Sequence, residues 1–438
     1  MSTISTNNNK KKFMMGWMIV VGCMLIQAIP FGVASNIQPQ FVSYVIEGKG
    51  FSLAAFSLIF TLGTVVSAVA SPFIGMAFNK VNAKFIYLLG CILSGGGFLA
   101  FSMCQELWQF YLIAGIVQVG TAAISSIGVP LLINAWFDEE SKGKAMGLAF
   151  AGGSIGNIFL QQMVAYSLKA NGYAQSYLLF GALSLIVGIP VSLLMLRTPK
   201  DDSEIVRGNK KAKKEEVKKE DTVSVEWGYA LSEVKNIKFF WLFGLGLFFV
   251  GMYVSALAVQ YPAYLKGFLK IDPMIVGSVG SIFALFSLGG NLFGGIIFDK
   301  LGVTKGLVAA FILAAGSCVA LMGSAQVAQF SFVFAALKGL SVFAYMMGPA
   351  YLAGSFFGKK EFGAILGVVQ IFFAVGFAAG SSVFGLLVDN LGYTAAWTSI
   401  LVFIAIAYGA LIVTSIGMSK LNKARIAKLQ AESASKAA

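Results

Sequence analysis

One lysine lies deep inside a long apolar stretch of the sequence, where a charged side chain is unusual. Lys338 follows the apolar residues 335–337 and lies ten residues beyond position 328, the predicted start of its span. At 1.5 Å per helical residue this is about 15 Å, near the middle of a hydrocarbon core about 30 Å thick. A lysine at that depth costs about 2.5–3.5 kcal/mol on insertion scales, which implies a compensating partner or a functional role.

The chemistry that Lys338 offers is the binding of an anion. The competing interpretation is that its side chain extends to the outer surface and leaves the ammonium in water. When the first half of the sequence is aligned with the second half at one constant shift, Gln118 falls on Lys338. We call this shift, the difference between those two residue numbers, the repeat offset. A lysine and a glutamine so related would hold opposite ends of a small carboxylate, one by charge and the other by hydrogen bonds. Gln118 also fits a plainer role, because glutamines commonly hydrogen-bond neighbouring helices in membrane bundles.

Tyr345 completes the predicted substrate-binding set of Lys338, Gln118 and Tyr345. It follows Lys338 by seven residues, or two turns of a continuous helix, and would therefore share its face. The pair Gly348–Pro349 predicts a bend in the same span, as Pro130 does in the span that carries Gln118. Other polar residues in the spans are more often contacts between helices than ligands. They are Gln27, Asn36, Gln38, Gln40, Asn157, Gln161, Tyr253, Gln260, Asn291 and Gln370.

These residues belong to a chain that is too apolar for a soluble fold. Of its 438 residues, 58% are hydrophobic and 12% are charged, whereas soluble domains carry about 25% charged residues. We predict an all-α integral membrane protein with twelve transmembrane helices, arranged as two pseudo-symmetric six-helix bundles. The predicted spans are 15–37, 52–76, 84–103, 108–135, 145–168, 174–197, 238–262, 274–298, 305–325, 328–357, 363–388 and 393–417.

A charged segment between the sixth and seventh spans divides the chain. Residues 200–221 contain 15 charged side chains in 22 positions, which predicts a flexible linker. The stretch 223–236 mixes aromatic with charged residues and fits either a short helix on the membrane surface or a plain loop. The predicted parts are an N-terminal tail 1–14, a first bundle 15–197, a linker 198–237, a second bundle 238–417 and a C-terminal tail 418–438.

The basic residues predict the orientation of the chain. Of the 32 lysines and arginines, 27 lie in the two tails or in the loops after even-numbered spans. The positive-inside rule therefore places both termini in the cytoplasm, and we expect the protein in the plasma membrane. The formal charge of +13 does not indicate nucleic-acid binding, because the basic residues form no patterned face.

The repeat offset also aligns other landmarks of the two halves. Phe137, Gly143, Gly147 and Gly156 fall on Phe357, Gly363, Gly367 and Gly376, and Gln40 and Tyr44 fall on Gln260 and Tyr264. In the loops after the second and eighth spans, Gly75, Phe78 and Lys80 fall on Gly295, Phe298 and Lys300. Matching loop residues in one register at three places predicts an internal duplication.

The loops at 75–80 and 295–300 resemble the signature loop of the major facilitator superfamily. The first reads Gly-Met-Ala-Phe-Asn-Lys and the second Gly-Ile-Ile-Phe-Asp-Lys. The resemblance implies a gating role, in which glycine allows close helix packing and the acidic residue interacts with a helix N-terminus. Asn79 replaces the usual aspartate, which leaves Asp299 as the stronger charged gate. The predicted gating residues are Gly75, Asn79, Lys80, Gly295, Asp299 and Lys300.

Further stretches resemble the monocarboxylate and oxalate-formate carrier branch of that superfamily. They are Gly16-Trp17-Met18-Ile19-Val20, Trp136-Phe137 with residues 142–147, and residues 350–367. That branch often carries an arginine in the eighth span, but residues 277–298 contain none. A site that needs two positive groups for a dicarboxylate is therefore not indicated.

The resemblance and Lys338 together predict a secondary active transporter that moves a small organic anion, a monocarboxylate, by alternating access. No aspartate or glutamate lies deep in a predicted span to serve as a proton relay. Two modes remain open: anion exchange, or proton symport in which the proton enters on Lys338 or on the acid itself. The alternative is export of a neutral or cationic amphiphile. No enzyme is predicted, and no cofactor or metal is expected, since histidine is absent. The expected partners are the anion, protons or a counter-transported anion, and the lipid bilayer around a functional monomer.

Overall fold

The computed structural model describes residues 2–78, 80–138, 141–199, 204–206, 227–358 and 360–437. Side chains are described within these ranges except at 2–13, 292–296, 299 and 428–437. Most of the predicted linker and Asn79 therefore lie outside the described residues. The described part is helical almost throughout, and its only extended pairings are isolated bridges from Phe137 to Val206 and from Gly228 to Gly358.

The first helices run from the N-terminus to the predicted linker. They are α1 Ser2–Ile26, a π-helical segment Gln27–Asn36, α2 Gln38–Lys49, α3 Leu53–Phe78, α4 Ala83–Phe101, α5 Leu107–Ile124, α6 Gly128–Trp136 and α7 Lys142–Leu194. The later helices are α8 Leu231–Val234, α9 Lys238–Pro262, a π-helical segment Ala263–Phe268, α10 Pro273–Leu301, α11 Val303–Gly323, α12 Phe330–Leu340, α13 Phe343–Met346, α14 Gly348–Phe357 and α15 Phe362–Ala437. The short helix α8 lies in the stretch where a surface helix or a loop was predicted.

Two of these helices are too long to be single spans. Helix α7 has 53 residues, about 80 Å at 1.5 Å per residue, against a hydrocarbon core of about 30 Å. One glycine interrupts each long helix. In α7 it is Gly172 at φ 72° and ψ 179°, and in α15 it is Gly392 at φ 79° and ψ 169°. Residues other than glycine rarely adopt this conformation. Each long helix therefore contains two spans.

The number of spans follows from these breaks. Nine helices of the described residues are long and apolar enough to cross a membrane, and the bent pair Phe330–Met346 and Gly348–Phe357 forms one more. Because α7 and α15 each contain two spans, the total is twelve, and the predicted number of spans is confirmed. The bend of 41° in the pair lies between Met346 and Gly348, beside the Gly-Pro sequence that predicts it. The span with Pro130 is likewise interrupted, between Ile124 and Gly128.

The chain forms two compact units, Met1–Lys219 with Leu265–Leu285, and Glu220–Tyr264 with Phe286–Ala438. Within the first, Ile19, Tyr87 and Trp136 are fully buried members of one apolar core. Within the second, the rings of Phe384 and Trp397 lie 4.2 Å apart and are both fully buried. The predicted domain boundaries remain a prediction.

Equivalent hydrogen bonds in the two units confirm the internal repeat. The side-chain amide of Gln40 donates to the carbonyl oxygen of Gln161 at 3.2 Å, and that of Gln260 donates to Ser381 at 3.0 Å. The repeat offset relates both the donor and the acceptor positions, and it also relates the two helix-breaking glycines described above. The shared register of these contacts means that each half uses the same hydrogen bond to join its first predicted span to its fifth.

Close helix packing repeats in the same way. A Cβ at Gly156 would overlap the carbonyl oxygen of Ala28, and one at Gly376 would overlap that of Phe248. The repeat offset relates these two pairs as well. Glycine is required at both positions because the backbone of the neighbouring helix occupies the space of a side chain.

Candidate functional site

The ammonium group of Lys338 is buried among groups of its own unit. Lys338 is 4% exposed, and its Nζ donates a hydrogen bond of 3.0 Å to the carbonyl oxygen of Leu257. The same nitrogen lies 5.4 Å from the ring centroid of Tyr261 and 5.6 Å from that of Phe334. Both distances are within the range of a cation–π contact. This arrangement favours a side chain held inside the unit over one that extends to the outer surface.

Two helices position these groups. Leu257 and Tyr261 are one turn apart on α9, and Phe334 and Lys338 are one turn apart on α12, so each pair shares a helix face. The rings of Tyr261 and Phe334 also contact one another, with centroids 5.5 Å apart. The ammonium therefore meets a main-chain carbonyl and two aromatic rings, which together stabilise its charge.

Tyr345 lies beyond a break that separates it from Lys338. Helix α12 ends at Leu340, and α13, which carries Tyr345, begins at Phe343. The hydroxyl of Ser341 in the break donates to the carbonyl oxygen of Lys338 at 2.8 Å. Lys338 and Tyr345 therefore lie on consecutive helical segments of one span, and the shared face that their spacing predicts stays a prediction. The break consists of tighter turns, where main-chain amides bond three residues back, as from Val342 to Gly339.

Gln118 belongs to the first unit and lies on α5. Its Oε1 accepts a hydrogen bond of 3.1 Å from the hydroxyl of Thr121, one turn along the same helix. A Cβ at Gly63 would meet the Gln118 side chain at 2.6 Å, so a glycine on α3 makes room for it. Gln118 is half-buried, and its role as a ligand stays a prediction.

Several other polar residues connect helices, as the sequence predicts for most of them. Gln27 and Ser125 form a buried hydrogen bond of 2.9 Å at the break between α5 and α6. Gln161 donates to the carbonyl oxygen of Asn36 at 3.0 Å and to the side chain of Asn157 at 2.8 Å. These amides are used within the first unit to hold its helices together.

The predicted gating residues are only partly described. Gly75 lies in the last turn of α3 beside open space, because a Cβ there would meet none of the described atoms within 4 Å. Close helix packing at Gly75 is therefore not what this structure shows. Lys80 and Lys300 are exposed. Asn79 lies outside the described residues, as do the side-chain surroundings of Gly295 and Asp299 in α10. The gating role of these six residues stays a prediction.

Charged residues at the ends of the spans form ion pairs. Lys169 contacts Asp272 at 2.5 Å, and Glu47 pairs with Lys266 and Lys270. The hydrogen bond from Lys169, with a second from the Met274 main-chain amide, holds the pKa of Asp272 below its usual value. These side chains are partly exposed, so each pair contributes little to stability.

Sequence reasoning missed Leu257, Tyr261 and Phe334. A main-chain carbonyl leaves no signal in a sequence. The two aromatic residues look like ordinary apolar span residues. The one available sign was the spacing of Phe334, one turn before Lys338 on the same helix.

A model of the Major Facilitator Superfamily matches residues 20–268 and 243–436. The chain belongs to the Major Facilitator Superfamily. It is accordingly a multi-pass membrane protein of a transporter family.

Individual relatives of this superfamily member are distant but cover most of the chain. The MFS-type transporter pynF of Aspergillus niger is 24% identical over 390 residues, covering 85% of this chain and 81% of the relative. Monocarboxylate transporter 12 of Mus musculus is 23% identical over 410 residues, covering 87% and 82%. A solved bacterial homologue of the human lysosomal transporter Spinster covers 93% of this chain and 98% of its own, with 15% identity and a TM-score of 0.71. That similarity shows the fold alone.

Proposed function

We propose that this member of the Major Facilitator Superfamily moves a small organic anion, a monocarboxylate, by alternating access. The observation that carries the proposal is the buried ammonium of Lys338. A cation placed this deep in a span is costly, and the chain places around it a carbonyl and two aromatic rings. A carboxylate is the ligand that forms the strongest additional interaction with such a group.

The position of Lys338 supports the same proposal. Carriers built from repeated halves bind their substrates near the midplane, often beside interrupted helices. Lys338 lies two residues before the end of α12, next to the break in the tenth span. Its counterpart by the repeat, Gln118, lies six residues before the end of α5. We assign Lys338 and Gln118 to substrate binding on this basis, and Tyr345 because it follows Lys338 by seven residues in the same span.

The resemblance to monocarboxylate transporter 12 supports a carboxylate with one charge. The eighth span carries no arginine, so a single buried cation fits one carboxylate better than two. The six residues of the two signature loops would gate the cytoplasmic side, in a plasma-membrane protein with both termini in the cytoplasm. Proton symport and anion exchange both fit this site.

Export of a neutral or cationic amphiphile is the second candidate. The rings of Tyr261 and Phe334 beside the site would suit an apolar ligand body. The charge of Lys338 opposes a cation there, since two like charges at close distance repel strongly in a medium of low dielectric constant.

The test is uptake of labelled lactate, pyruvate, formate and oxalate by proteoliposomes that contain the purified protein. Lys338→Gln should lower carboxylate uptake at least tenfold, because the charged hydrogen-bond donor is lost. Lys423→Gln is the matched control, since it makes the same change at an exposed position of the C-terminal helix. Uptake that survives Lys338→Gln would remove this residue from the site. Efflux of a cationic dye without any carboxylate uptake would favour the second candidate.

A further inference from the structure

The charge of Lys338 is stabilised by the protein itself. Its Nζ donates to the carbonyl oxygen of Leu257 at 3.0 Å and lies over the rings of Tyr261 and Phe334 at 5.4 and 5.6 Å. Tyr261 is 5% exposed and Phe334 is 1% exposed, so water screens these contacts very little. Cation–π contacts are strongest under such conditions.

All four residues lie in one compact unit. Leu257 and Tyr261 come from α9, and Phe334 and Lys338 come from α12. Their contacts therefore need no group from the other unit. The stabilisation of the ammonium can persist while the carrier changes conformation, provided that α9 and α12 stay together.

This persistence bears on how the carrier returns after releasing its substrate. If a buried cation depends on the substrate as its only counter-charge, closing the site without substrate leaves that charge uncompensated. Such a carrier returns only with another anion and is restricted to exchange. A cation with a carbonyl and two rings supplied by the protein has a much smaller penalty for the return step.

We propose that Tyr261 and Phe334 allow the substrate-free carrier to return, so that the protein performs net transport in addition to exchange. The two residues act on Lys338 and not on the substrate, which makes them positioning residues. This inference rests on the proposed function, in which Lys338 binds the carboxylate. It goes beyond the proposed function in stating that the carrier is not restricted to exchange.

The experiment compares net uptake with exchange in the same proteoliposomes. Labelled lactate, pyruvate, formate and oxalate are supplied outside, and the vesicles contain either no carboxylate or the same unlabelled carboxylate. Equal potassium on both sides with valinomycin holds the membrane potential at zero. The readout is the ratio of the initial rates of net uptake and exchange, which does not depend on the amount of active protein.

The wild-type ratio should be above about one tenth. Tyr261→Leu and Phe334→Leu should each lower the ratio about tenfold while exchange persists, because each removes one ring from the ammonium. Tyr261→Phe should recover the ratio, since the ring remains and only the hydroxyl is lost. Phe384→Leu is the matched control, because Phe384 is equally buried and packs on Trp397. Its ratio should equal that of the wild type.

Two results would overturn the inference. One is a wild-type protein that exchanges carboxylates but shows no net uptake. The other is an unchanged ratio in both Tyr261→Leu and Phe334→Leu with exchange intact. If no carboxylate moves in either mode, the proposed function itself fails and this inference fails with it. The two failures are therefore distinguishable.

Discussion

The contact between Lys338 and Tyr261 can be measured directly by a double-mutant cycle. The perturbations are Lys338→Met, Tyr261→Leu and the double variant. Lys338→Met keeps a long apolar side chain and removes the charge, whereas Tyr261→Leu removes the ring face. The cavity left by the smaller leucine is present in both halves of the cycle and therefore cancels.

The expected coupling free energy follows from the geometry. The Lys338 Nζ lies 5.4 Å from the Tyr261 ring centroid, and Lys338 is 4% exposed. A desolvated cation–π contact contributes about 2 kcal/mol, compared with about 0.5–1 kcal/mol at an exposed site. We expect a coupling of about 1–2 kcal/mol. The bond to the Leu257 carbonyl is absent from both Lys338→Met variants and does not affect the difference.

Lys338→Met alone should not stabilise the protein by the insertion cost of a lysine. That cost is about 2.5–3.5 kcal/mol. The charged hydrogen bond, which contributes about 1.5–3 kcal/mol, and the two ring contacts offset it. The assay is reversible unfolding in mixed micelles with increasing dodecyl sulfate. A coupling below about 0.5 kcal/mol, which is the usual limit of additivity, would refute a cation–π contact. Phe384→Leu combined with Lys338→Met should be additive.

Three further predictions concern stability. Gly156→Ala should destabilise the protein by about 1–3 kcal/mol, because its Cβ would overlap a carbonyl oxygen of the neighbouring helix. Gly147→Ala, where the added Cβ meets no described atom within 4 Å, should not, and equal thermal melting of the two variants in detergent would contradict this. Gly172→Ala should cost about 1–3 kcal/mol in the same assay, because φ 72° with ψ 179° is almost restricted to glycine; a melt like wild type would contradict it. The lowered pKa of Asp272 means that its ionised form stabilises the fold at neutral pH, and that this contribution is lost as the pH falls below about 4. Asp272→Asn should reduce that acid sensitivity in melts between about pH 3 and about pH 7, and an unchanged pH dependence would show that the pair with Lys169 contributes nothing.

Hydrophobicity and repeat register were sufficient to predict most of the architecture. The number of spans, their approximate bounds and the bend beside Gly348 are all properties of short stretches of sequence. A membrane span depends on the summed hydrophobicity of about 20 residues, so errors at single positions do not matter. The repeat offset likewise predicted equivalent positions, which the bonds from Gln40 and Gln260 confirm.

The partners of Lys338 could not be predicted in this way. Leu257 and Lys338 are 81 residues apart in the chain, and successive residues of a helix point about 100° apart. An error of one residue in the rotation or register of either helix would replace Tyr261 with a different neighbour. The break between Leu340 and Phe343 was not predicted either, because the tighter turns there depend on local hydrogen bonds such as that from Ser341 to Lys338.

The sequence by itself determined that this is a twelve-span membrane protein with duplicated halves and one deeply placed lysine. The spans and the depth of the lysine follow from local composition, because a segment enters the lipid or stays in water according to its own hydrophobicity. The duplication follows from matching residues in one register. Only the tertiary structure decided what surrounds that lysine. The carbonyl of Leu257 and the rings of Tyr261 and Phe334 reach Lys338 because the fold turns these faces of α9 and α12 towards each other. A charge in a medium of low dielectric constant is governed by its nearest neighbours, and those neighbours exist only once the helices have packed.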